Sequence, residues 1–244
     1  MIQRIIYALY CVISLCSFSG AALGQEVEIY IPSQHTAAPE SEETNNILAR
    51  CLATGLKEYC VGISFGENGA TFESNGISEI TLETFVIDLS DESETTKPKV
   101  TVKNDEDGDT GQNTGSTNVK SAGIEIEFDF NSHKLRADQL DKVSVLAAAF
   151  ADDINAGKLY AIVGHTDGKG SDTYNCKLSA KRAATITSAL LVGGAKAYLQ
   201  PIGVGEVLLK DAANPANAQN RRVSFLKLDD NAETVINAFK ALCD

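Results

Sequence analysis

Apolar and polar residues alternate along "GIEIEFDF", residues 123–130, with Ile124, Ile126 and Phe128 set against Glu125, Glu127 and Asp129. A two-residue period of this kind predicts a half-buried strand. The period then lengthens: Leu140, Val143, Leu146, Ala147, Phe150 and Ile154 fall on one apolar stripe, which predicts a helix. "LYAIVGH" predicts a second strand ending at Gly164. "SAKRAATITSALLVGG" predicts a second helix, with Ser179 as N-cap and Gly193 or Gly194 closing it. "AYLQPIGVG" and "RRVSFLKL" add two strands, and "AETVINAFKAL" a final helix. Alternating strands and helices of this order imply an α/β sandwich with right-handed crossovers.

Upstream the pattern is weaker. "ETNNILARCLATGL" suits a short helix, while "YCVGISFG" and "ITLETFVIDL" carry β-branched and aromatic residues in strand-like runs. Residues 25–90 are therefore expected to form a small module, stapled by a disulfide. From 91 to 121 the chain is acidic, rich in Gly, Asn and Thr, and nearly free of large apolar residues, so a flexible linker is expected. Within it "DEDGD" fails the calcium-loop pattern, because Thr110 and Ser116 stand where Gly and Glu are needed, and it reads as a solvated charge run. Residues 1–24 combine Arg4, an apolar run from Ile5 to Phe18 and a small-residue "ALG" before Gln25. They are expected to be a cleaved signal peptide, with a retained membrane anchor as the alternative. No later segment is apolar for long enough to span a membrane as a helix.

Charge divides the chain in the same place. Residues 25–122 hold 6 basic and 18 acidic side chains, and residues 123–244 hold 14 and 15. A net charge of −12 argues against nucleic acid or an anionic membrane surface as partner. Export would place Cys51, Cys60, Cys176 and Cys243 in an oxidising compartment, where four cysteines allow three connectivities. Pairing within each half gives Cys51–Cys60 and Cys176–Cys243, the second closing a loop worth about 4 kcal/mol on the chain-entropy model. A zinc site lacks a C-x-x-C spacing and clustered histidines, and no metal or cofactor is expected.

The stretch with chemistry in it is "GHTDGKGSDTYNCKLSAKR", residues 164–182. In an open α/β sheet, ligands bind beyond the carboxyl ends of strands, and Asp167 falls there. A helix beginning at Ser179 would carry Lys181 and Arg182 in its first turn, against the usual preference for acids. An anion held between Arg182 and the helix amides would account for that placement, and Asp167 would then face an ammonium. A clamp for a zwitterion is one reading, and a direct Asp167–Arg182 ion pair is the other. Catalysis by His165, Asp167 and Cys176 lacks an orienting third group and an oxyanion-hole motif. "GKG" at 168–170 lacks the Ser or Thr and the first Gly of a phosphate loop. No enzymatic activity is expected.

"IEFDFNSHKL", "GHTDGKGSDTYN", "LSAKRA", "GVGE" and "NRRV", in that order, resemble the OmpA-like (OmpA/MotB carboxyl-terminal) peptidoglycan-associating family over residues 123–228. The resemblance implies a βαβαββ sandwich within a domain at 122–244, here followed by an extra C-terminal helix. It also implies non-catalytic binding of the diaminopimelate of the peptidoglycan stem peptide, in the periplasm or at the outer membrane of a Gram-negative cell envelope. Asp167 and Arg182 match the family's ligand-binding pair. Thr166, Asn175, Leu178 and Ser179 fall in its pocket-lining segment, and Asn220 and Arg221 begin the motif that flanks the pocket. Cys176 and Cys243 depart from the family pattern. The roughly 65 residues before the linker are too few for the eight-stranded barrel that some members carry. The domain would tether the N-terminal module or the outer membrane to the wall; in the alternative, residues 25–90 are the working part and bind an envelope protein.

Overall fold

The computed structural model of the chain describes residues 46–66, 69–72, 80–88, 99–104, 116–129 and 131–244. The expected signal segment, residues 25–45 and the "DEDGD" run lie outside the described residues. Helix α1, Ile47–Thr54, is capped by Asn46, whose side chain accepts from the Ala49 amide, and it closes at Gly55 in the left-handed region. Helix α2, Lys57–Cys60, follows, then a hairpin of β1, Ile63–Gly66, and β2, Gly69–Phe72. Strands β3, Ile80–Asp88, β4, Lys99–Asn104, and β5, Ser116–Ile124, lead to helix α3, Leu140–Ala151. Then come β6, Leu159–Gly164, α4, Asp172–Val192, β7, Tyr198–Gly203, β8, Val223–Leu228, and α5, Ala232–Ala241.

Six strands form one sheet in the order β4-β3-β5-β8-β6-β7. The β6–β7 pair is parallel, as the intervening α4 crossover requires, and every other pair is antiparallel. From β5 onward the order is βαβαββ followed by a helix, as the sequence predicts. The main core joins α1, α3 and α4 to one face of the sheet through Leu48, Leu52, Leu146, Phe150, Tyr160, Ile162, Ile186 and Phe225. On α5, Phe239 meets Phe85 of β3 edge-on at 5.1 Å between ring centroids.

Three expectations are corrected. The stretch 91–121 is not a linker throughout, because β4 and the first half of β5 lie in it. Among the described residues of this stretch the buried positions are Val100, Val119 and Ser121, too few to stand out in a polar background. The described residues between 46 and 88 are likewise not a separate module: β3 pairs with β5 over nine positions from Ile80↔Ile124 to Asp88↔Ser116, and all described residues fall in one compact unit. Asn155 Nδ2 donates to the Ala49 carbonyl at 3.3 Å and Tyr160 Oη to the Leu52 carbonyl at 3.3 Å, so α1 is hydrogen-bonded into the later half. Burial raises the Tyr160 phenol well above its ordinary pKa. Finally, the strand expected at 123–130 leaves the sheet at Ile124. Beyond it Ile126 stays buried, and Phe128 makes an isolated bridge with Leu135.

Candidate functional site

The segment after β6 is held by its backbone. The amides of His165, Thr166 and Gly168 donate to the carbonyls of Arg222, Gly205 and Pro215 at 3.0, 2.8 and 2.8 Å. Asp167 Oδ1 accepts from the Lys169 amide at 3.2 Å, and Asn175 Nδ2 donates to the Lys169 carbonyl at 3.1 Å. Asn175 Nδ2 also donates to Glu206 Oε2. These bonds set the Asp167 side chain at the mouth of the strand end, and that side chain is 14% exposed.

Helix α4 starts two turns earlier than expected. Its N-cap is Ser171, whose Oγ accepts from the Tyr174 amide, with Asp172 in the first turn. Lys181 and Arg182 therefore stand in the third turn, and their conflict with the helix dipole disappears. The early start was hidden because its inward positions Asn175, Ser179 and Arg182 are polar yet buried, so an apolar period shows only from Ala183 onward. Residues 174, 175, 178 and 182 share one face of this helix at helical spacing.

That face lines a cavity of about 510 Å³, together with Thr166, Asp167, Lys169 and Arg221 from the strand ends and Phe128, Asp129 and Asn131 from the segment after β5. Arg182 is 6% exposed; its Nε donates to the Ser132 carbonyl at 3.1 Å and its guanidinium lies 4.9 Å from the Phe128 ring centroid. Burial, with a smaller contribution from the Arg221 charge, lowers the Arg182 pKa from its ordinary value. An anion would therefore be favoured beside it. Thr166 is 3% exposed and its Oγ1 has no hydrogen-bond partner, an orphan that a polar ligand atom would satisfy. Tyr174 Oη donates to Asn131 Oδ1 across the rim. The wall thus carries Asp129 and Asp167 among Lys169, Arg182 and Arg221, both signs of charge in one pocket.

Of the residues singled out from sequence, Thr166, Asp167, Asn175, Leu178, Arg182 and Arg221 meet in this cavity. Asp167 pairs with Arg221 at 2.8 Å, not with Arg182. Ser179 does not line it: its Oγ accepts from the Gly205 amide at 2.9 Å at the closest approach of α4 to the sheet. A Cβ on Gly164 would stand 2.3 Å from the Ser179 carbonyl oxygen, and one on Gly203 2.2 Å from the Ala180 nitrogen. Asn220 is also outside. It is buried, and it braces residues 211–220 through the Asp211 amide and the Asp211, Asn214 and Pro215 carbonyls. Sequence reasoning missed Phe128, Asp129, Asn131, Lys169, Gly170 and Tyr174. Only Tyr174 had a usable signal, one turn before Leu178 on the same helix face.

Cys51–Cys60 and Cys176–Cys243 are disulfides, with Cα–Cα distances of 4.9 and 5.6 Å. The second joins the N-terminal half of α4 to the residue that follows α5 by two. Cys176 therefore has no free thiol for nucleophilic chemistry. His165 is 1% exposed beside Ser224 Oγ at 3.1 Å, turned away from the pocket's solvent.

Comparison with known proteins addresses the same region. The sequence model of the OmpA family matches residues 127–222. Over this segment the chain is similar to OmpA-family domains. Outer membrane porin F of Pseudomonas fluorescens is 31% identical over 103 residues, 41% of this chain and 31% of the porin. YfiB of Escherichia coli (strain K12), which carries a lipoprotein name, is 33% identical over 106 residues, 41% of this chain and 64% of its own length. The chain thus spans less than two thirds of either relative. Among solved structures, the peptidoglycan-associated lipoprotein from Burkholderia pseudomallei is 28% identical, with 42% of this chain and 88% of that one covered at a TM-score of 0.34. The OmpA-family segment begins after β5, so β3, β4 and β5 all lie outside it.

Proposed function

We propose that this chain is a non-catalytic protein of a Gram-negative cell envelope that binds peptidoglycan through the diaminopimelate of the stem peptide. The observation that carries the reading is the juxtaposition, in one cavity, of the Asp167 carboxylate, the buried Arg182 guanidinium and the unsatisfied Thr166 hydroxyl. The free end of diaminopimelate bears an ammonium and a carboxylate on one carbon. Its ammonium would meet Asp167, and its carboxylate would meet Arg182 and the Thr166 hydroxyl through charge-assisted hydrogen bonds. The OmpA-family assignment of residues 127–222 supports wall association, and the outer-membrane name of the porin relative supports a location at or near that membrane.

No step in this reading needs a metal or cofactor, and the expected result on the wall is retention without turnover. Residues 46–66, 80–88 and 99–104 share the sheet or core of the binding domain, so an envelope protein bound there would dock on that domain itself and not on a detachable module. The test is co-sedimentation of the purified protein with sacculi. Wild-type protein should pellet, and Asp167→Ala and Arg182→Ala should stay in the supernatant while keeping native circular dichroism. Full pelleting by both variants would overturn the site assignment.

A further inference from the structure

Behind the pocket lies a second ion pair, closed to solvent. Glu83 of β3 is 0% exposed and Arg222 4%. Arg222 Nε lies 2.8 Å from Glu83 Oε1, and Arg222 Nη2 donates to Glu83 Oε2 at 3.1 Å. Ser224 Oγ donates to the same Oε2 at 3.2 Å, and His165 Nε2 lies 3.1 Å from Ser224 Oγ. The remaining reach of Arg222 goes to the Leu208 carbonyl at 3.4 Å. The His165 ring stacks on Phe85, two residues along β3 from Glu83, at 6.2 Å between centroids.

Both arms of this network run into the pocket. Arg222 directly follows Arg221, which pairs with Asp167, and His165 stands two residues before Asp167. The two arms are tied to each other by the His165 amide, which donates to the Arg222 carbonyl at 3.0 Å. Adjacent residues of a strand end send their side chains to opposite faces. Fixing Arg222 on one face therefore fixes where Arg221 emerges on the other. A buried ion pair adds little net stability over apolar residues of similar volume, but it does hold its members in one geometry.

We infer that Glu83 is a positioning residue for the binding pocket, supplied from outside the OmpA-family segment: by holding Arg222 it orients Arg221 on Asp167. The inference rests on the peptidoglycan reading only for the identity of the ligand. It makes β3 a working part of the binding domain.

The test uses the full chain and two readouts, co-sedimentation with sacculi and the rate at which the Arg221 guanidinium protons exchange with water, followed by 15N NMR. Glu83→Gln should speed that exchange and weaken sacculus binding about tenfold, a size typical of coupled neighbours. The double variant Glu83→Leu/Arg222→Met replaces the pair by apolar groups and should unfold cooperatively near the wild-type temperature. Its binding should stay about as weak as that of Glu83→Gln, which a purely structural role would not produce. Wild-type binding by the double variant, or unchanged Arg221 exchange in Glu83→Gln, would overturn the inference. If wild-type protein fails to pellet with sacculi, the ligand assignment falls, and the Arg221 exchange rates alone decide the role of Glu83.

Discussion

Arg221 Nη1 lies 2.8 Å from Asp167 Oδ2, while the Nε of Arg182 is directed to the Ser132 carbonyl. The acid proposed to take the ligand's ammonium is thus already held by one arginine, and the proposed carboxylate site is furnished by another. An ammonium joining Asp167 would share it with Arg221.

The two charges should separate in mutants. With its Arg221 partner 40% exposed, the Asp167 pair contributes about 1 kcal/mol or less to stability. Asp167→Asn should therefore unfold within a few degrees of wild type yet fail to bind sacculi. Arg182→Gln should lower affinity about 10- to 100-fold, the scale of a lost charge-assisted hydrogen bond or two. Titration of both variants with a diaminopimelate-containing peptide by calorimetry checks the pair of expectations.

The approach of α4 to the sheet should tolerate no side chain at Gly203. A Cβ there would stand 2.2 Å from the backbone nitrogen of Ala180, which no rotamer change can relieve. Gly203→Ala should cost about 1–3 kcal/mol, as overpacking does. It should also weaken binding, because the displaced helix carries Asn175, Leu178 and Arg182. Urea denaturation and sacculus binding measure the two effects.

A fragment limited to residues 123–244 should not fold cooperatively. It would remove β3 and leave Arg222 as a buried cation without Glu83, a defect of about 3–5 kcal/mol, besides exposing the faces of Phe150 and Tyr160 that α1 covers. Far-ultraviolet circular dichroism without a sharp thermal transition is the expected outcome. A two-state transition near that of the full chain would contradict it.

Acid should weaken the fold before the carboxylates titrate. Burial, aided by the Arg222 charge, holds the His165 pKa well below its ordinary value. The unfolded chain therefore takes up a proton near pH 6.5 that the folded chain refuses. The unfolded state binds more protons in this range, so this contribution is fully present above about pH 6.5 and is lost as pH falls below it. The expected slope is at most about 1.4 kcal/mol per pH unit. Urea midpoints between pH 7.5 and 5 should show the decline, and His165→Asn should flatten it.

Regular periods made most of the later half legible. The stripe from Val143 to Phe150, the strands around Ile162 and Phe225 and the closing Gly193 are where the sequence places them. The start of α4 was not legible, because Asn175, Ser179 and Arg182 are buried for reasons of site geometry and break the apolar period. Strands β4 and β5 were concealed for a different reason. Before Ala122 their buried positions among the described residues are Val100, Val119 and Ser121, and the polar remainder is held in place by pairing with β3. The partnership of Asp167 with Arg221 rather than Arg182 depends on how two distant strand ends meet, which spacing along the chain does not encode.

Without β3 and β4, strand β5 would present an open row of amides and carbonyls, ready to recruit a strand from another molecule. The added strands move that exposed margin to β4, six residues long and bearing Lys99 and Lys103. A short margin carrying lysines is a poor template for edge-to-edge pairing. Crowded copies of this protein would thereby be kept from zipping into fibrils through this edge.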